Sequence, residues 1–105
     1  MKIYTIALSH NSCDAINEII TNDLENLVLD QKIRSAYEEI LLGMGSDYFG
    51  FRLDDDQVAL EIAQMFLVYA DRISDATGYN SRSHALISFV TQMMTSFTHK
   101  TAEDY

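Results

Sequence analysis

The chain has 105 residues, 48% of them hydrophobic, with four glycines, no proline and one cysteine. That is apolar material for one packed domain over 1–105 and excludes a disordered chain. A lone cysteine excludes an internal disulfide and fits a reducing, cytoplasmic setting. Sixteen acidic residues against seven basic ones give a formal charge of −9, which repels nucleic acid and anionic membrane and attracts a basic protein surface.

Residues 3–8 are rich in Ile, Tyr and Thr and read equally as a short strand or a first helical turn. A strand there needs a partner. The one candidate is 48–53, where Phe49, Phe51 and Leu53 alternate with Tyr48, Gly50 and Arg52. Ser12 is placed to cap a helix over 12–22, in which Ile16, Ile19, Ile20, Leu24 and Leu27 share one stripe. A second stripe, through Leu29, Ile33, Ala36, Tyr37, Ile40, Leu41 and Met44, predicts a helix over 31–43. The two stripes are out of phase by roughly a third of a turn, so the chain breaks between 22 and 31. Gly43 and Gly45 are placed to end the second helix.

Three successive aspartates, Asp54, Asp55 and Asp56, precede the third helix, expected over 55–77. Asp54 as N-cap puts Gln57 at the third helical position, and Leu53 and Val58 then flank the cap as an apolar pair. Asp55 and Asp56 fall in the first turn, where the helix dipole favours negative charge. The run is thus accounted for by helix initiation. Val58, Ile62, Met65, Phe66, Tyr69, Ile73 and Ala76 form the main apolar face, Leu60 and Leu67 lie nearly opposite, and Gly78 is placed to close the helix. The last helix is expected over 82–98, with Leu86, Val90, Met93, Met94 and Phe97 inward and a frayed end beyond. The expected fold is mostly α, a bundle of about four helices; a two-stranded element from 3–8 and 48–53 is the α+β alternative.

Motifs for chemistry are sparse. His10, Cys13 and Asp14 have half-site spacing, yet no second cysteine or paired histidine completes a zinc site. Cys13 near a helix start, with His10 close by, is the one nucleophile candidate, and nothing supplies an oxyanion hole or a phosphate loop. Glu38 and Glu39 are adjacent and point about 100° apart on a helix, a poor acid/base pair. No enzyme activity, metal or cofactor is expected, and no stretch is long and apolar enough to span a bilayer.

Charge is distributed unevenly. No Lys or Arg occurs from Ile3 to Gln31, and seven acids face only Arg52 between Glu38 and Glu61. The expected partner-binding set is Asp14, Glu18, Asp23, Glu25, Glu38 and Glu39, a carboxylate surface matched to a basic groove on another protein. Small acidic immunity proteins, antitoxins and phage-encoded inhibitors of nucleases or CRISPR complexes share this profile, an analogy of size and charge. The outward face expected for the last helix, Ser83, His84, Ser88, Thr91, Gln92, Thr95 and His99, is nearly free of charge. That suits an interface core. The alternative reading is therefore a homo-oligomeric structural or adaptor protein, a homodimer for instance, assembled through the third and fourth helices by Leu60, Leu67, Ser88, Thr91 and Thr95.

Overall fold

The ambiguous first segment is a strand. The computed structural model of the chain describes residues 2–44, 48–53 and 55–103. In order they form β1 (Lys2–Ala7), α1 (His10–Asn26), α2 (Gln31–Gly43), β2 (Tyr48–Leu53), α3 (Asp56–Thr77) and α4 (Ser81–Glu103). The fold is a mostly α bundle of four helices with a minor β element. β1 pairs antiparallel with β2, Tyr4 opposite Phe51 and Ile6 opposite Phe49. Two strands alone are marginal in water. This pair is held because Tyr4, Ile6, Phe51 and Leu53, all on one face of the pleat, are buried against the helices.

A column of rings carries the core from the sheet into the bundle. Tyr4 stacks on Phe51 at 5.5 Å, Phe51 on Phe89 of α4 at 5.8 Å, and Phe89 meets Phe66 of α3 edge-on at 5.2 Å. Phe66 in turn lies 6.3 Å from Tyr37 of α2 and 6.4 Å from Tyr69. Offset-stacked and edge-to-face rings at these separations add to their area burial. Ile16, Ile20, Ile33, Ile40, Ile62, Leu86 and Met93 close around the column.

The helix starts differ from expectation by a few residues, each for a local reason. Ser9, not Ser12, caps α1: its Oγ accepts the Ser12 amide at 3.2 Å and donates to the Ser12 hydroxyl at 3.1 Å, and Ser12 is buried. Helix α1 therefore starts earlier than expected and runs on to Asn26. Asp55 caps α3, accepting the Gln57 amide at 2.9 Å, so Gln57 falls at the second helical position and the reciprocal cap does not form. Asp54, given that role from the sequence, lies outside the described residues, as does Gly45. At α4, Asn80 accepts the amides of Arg82 and Ser83 while the Ser83 hydroxyl accepts the Asn80 amide at 2.9 Å. This reciprocal cap buries Ser83 completely, which removes it from the outward face predicted for α4. Helix α4 also continues past the expected frayed end, to Glu103.

Two glycines are required where they stand. Gly78 closes α3 at φ 78°, the left-handed region that side chains disfavour. Gly43 ends α2 against the backbone of β2, where an added Cβ would clash with the Gly50 carbonyl oxygen.

Gln92 ties α4 to the sheet. Its side-chain carbonyl accepts the Ala7 amide at 2.7 Å and its NH₂ donates to the Ala7 carbonyl at 2.6 Å, so one amide stands in for a neighbouring strand at the end of β1. Gln92→Ala is expected to cost about 1–2 kcal/mol, two hydrogen bonds at typical net values. Hydrogen exchange at the Ala7 amide should rise with the loss, and unchanged exchange there would contradict the role.

Candidate functional site

The acids singled out from the sequence separate into three places. Asp14, Glu18 and Glu25 are exposed along one face of α1, where with Asn17, Thr21 and Asn22 they line a shallow depression of about 550 Å³. Their spacing of four and seven residues fixes this. Glu18 is engaged: Arg82 of α4 donates to it at 2.9 Å. Asp14 lies 3.8 Å from His10.

Glu38 and Glu39 stand on a different surface. Both are exposed on α2 and line a groove of about 760 Å³ formed with Leu53 of β2 and the start of α3. Ala36, Leu42, Leu53 and Val58 give it an apolar lining, and Leu42 is 81% exposed. The acidic rim is completed by Asp55, which Lys32 meets at 3.5 Å at the end of the groove. Among the described residues no cation lies within 4 Å of Glu38 or Glu39. The α1 depression and the α2 groove share no lining residue.

Asp23 is a correction. It was expected on the partner-binding surface, and it is 4% exposed. Tyr37 of α2 donates to its Oδ2 at 2.8 Å and Tyr69 of α3 to the same oxygen at 3.0 Å. One carboxylate thus ties three helices. Both hydroxyls are held protonated: burial first, then the bond to Asp23, pushes Tyr37 well above the usual tyrosine range and Tyr69 up to about 12, the latter against the pull of Arg72. Tyr4 is raised likewise by burial and by Asp56, to which it donates at 3.2 Å. Protonated tyrosines favour the folded state, so their contribution is complete below pH 10.0, the unperturbed value, and drains away as pH rises through the folded values. Alkaline unfolding should therefore begin above pH 10.0, with Tyr4, Tyr37 and Tyr69 ionising only as the fold opens. A tyrosinate absorbance titration run beside circular dichroism checks this; ionisation of these three in the intact fold near pH 10.0 would contradict it.

The residues given to an interface between copies lie along α3 and α4. Leu67 is 48% exposed and meets Ile87 in a shallow seam of about 320 Å³ that also includes Val68, Asp71 and Ser74. Thr91 and Thr95 are exposed on α4, while Leu60 is half-buried. Ser88 is half-buried too, and its hydroxyl accepts from Gln92 at 3.3 Å, so these two polar residues face β1. The side chain of His99 lies outside the described residues.

Cys13 is buried while His10 points to solvent. Among the described residues no three His, Cys, Asp or Glu side chains gather as a metal site, and no helix is long and apolar enough to cross a membrane.

Sequence reasoning missed Leu42. It follows Ile40 and Leu41, and an apolar residue two positions on from Ile40 falls off the buried stripe of α2; that misfit was the available signal. Val28, fully exposed in the turn between α1 and α2, is another apolar residue on the surface. No protein-family model, no curated protein and no solved structure matches the chain.

Proposed function

We propose that the protein binds, and by occupying it inhibits or regulates, a basic surface of another protein, and that the α2 groove is the contact. The observation that carries this reading is Leu42, 81% exposed in a groove whose free rim charges are Glu38 and Glu39. An apolar centre within a charged rim is the anatomy of a protein–protein interface. On a chain of charge −9 the rim selects for a basic partner and speeds encounter. A partner that normally holds nucleic acid has such a surface, and the carboxylates would take the place of its phosphate contacts. The reading needs no catalytic residue.

Charge reversal on each acidic face tests it. The variant Glu38→Lys with Glu39→Lys should lower partner affinity by about 100-fold or more, since like charges across an interface cost several kcal/mol. Asp14→Lys with Glu25→Lys is the control face, chosen because Glu18 is engaged with Arg82. Calorimetric titration against the purified partner reads both. Full affinity in the α2 variant would overturn the assignment, provided its melting temperature matches the parent.

A second reading, self-association through α3 and α4, is favoured by Leu67 and Ile87 lying together on a seam where, among the described residues, Asp71 is the one charge. Two copies of a −9 chain approach most easily through such a face. Thr91→Arg should then turn a dimer into a monomer by light scattering, and an unchanged mass would remove this reading.

A further inference from the structure

We propose that the crevice between α1, α3 and the start of α4 binds a small apolar amino acid as its zwitterion, at a site separate from the α2 groove. The crevice measures about 440 Å³, within the size range of small-molecule sites, and Asp23 is part of its lining. Both tyrosine hydroxyls go to Oδ2 of Asp23, and among the described residues no donor reaches Oδ1. No fully buried side-chain oxygen or nitrogen among them lacks a partner, so Oδ1 meets the crevice. The carboxylate is 4% exposed, and among the described residues no Lys, Arg or His nitrogen lies within 4 Å of it to compensate its charge. A ligand ammonium would donate to Oδ1 and supply the opposite charge.

The rest of the crevice fits the remainder of that ligand. Arg72 is exposed at the rim with no ion-pair partner among the described residues, whereas Arg82 beside it is taken by Glu18 at 2.9 Å. Arg72 and Tyr69 line the same crevice as Asp23, and the Arg72 charge pulls against the rise of the Tyr69 hydroxyl. A ligand carboxylate can thus meet a guanidinium in the same crevice as the group that meets its ammonium. Ile19 and Ile73 offer apolar surface to a side chain. A simple cation would meet Arg72, and a simple anion would meet Asp23; a molecule carrying both charges at close spacing meets neither conflict.

Calorimetric titration of the full chain with L-leucine and L-phenylalanine tests the site, with leucinamide and N-acetylleucine as the forms that lack one charge. Saturable binding of the free amino acids is expected, with either blocked form weaker by about tenfold or more. Arg72→Gln, an exposed change that leaves the fold intact, should lower amino-acid binding by a similar factor at an unchanged melting temperature. Absence of saturable binding, equal binding of the blocked forms, or full binding by Arg72→Gln would each overturn the proposal. None of these results depends on Glu38, Glu39 or Leu42, so the groove stands or falls separately.

Discussion

Asp23→Ala is expected to destabilise the protein by about 3–4 kcal/mol, because it strands two tyrosine hydroxyls at about 1–3 kcal/mol each. Tyr37 donates at 2.8 Å and Tyr69 at 3.0 Å, and neither has another oxygen or nitrogen acceptor among the described residues; the further contact of Tyr37 is to the Met65 sulfur at 3.9 Å. For a domain of this size that loss lowers the melting temperature by roughly 15 °C. Asp23→Asn keeps an oxygen acceptor and should cost less, about 1–2 kcal/mol. Thermal unfolding of both variants, with Tyr37→Phe and Tyr69→Phe to complete double-mutant cycles, separates the carboxylate's contribution from each hydroxyl's. A drop of only a degree or two in Asp23→Ala would show that the three helices are not joined there.

Phe66→Ala should cost about 3–5 kcal/mol, the range for deleting a buried aromatic ring and leaving part of its volume empty. Phe66 is fully buried at the centre of the ring column, touching Phe89 on one side and both Tyr37 and Tyr69 on the other. Its removal also loosens the two tyrosines that hold Asp23, so Phe66→Ala and Asp23→Ala should combine for less than their sum. Against the ~5–15 kcal/mol total typical of small domains, either change leaves little margin. Chemical denaturation reads both; strict additivity would mean that the ring column and the carboxylate tie are independent.

The four helices were legible because each carries a main apolar stripe at helical spacing. The strand pairing of 3–8 with 48–53 was legible as an alternative, and the buried faces of Tyr4, Ile6, Phe51 and Leu53 decide it. Caps were less so: Ser9 and Ser12 are both hydroxyls near the start of α1, and Asp54, Asp55 and Asp56 are chemically identical, so backbone geometry alone chooses among them. Asp23 was misplaced because an aspartate between two stripes reads as surface. It nevertheless stands three residues after Ile20 and seven after Ile16, on the buried phase of α1, and an acid in that phase calls for a buried partner. Those partners lie 14 and 46 residues away, and the Gln92 tie to Ala7 spans 85, distances at which periodicity carries no information. The groove beside Glu38 and Glu39 was likewise illegible, since Leu53 and Val58 reach α2 only through the packing of β2 and α3.

A photo-crosslinking side chain placed at Leu42, activated in the cells that make the protein and read by mass spectrometry, tests the central claim most directly. One crosslinked protein is predicted, joined through a basic face, and lost when Glu38→Lys and Glu39→Lys are added. Crosslinking only to a second copy of the chain, or to the same protein from Thr91 but not from position 42, would contradict the α2 groove as the contact.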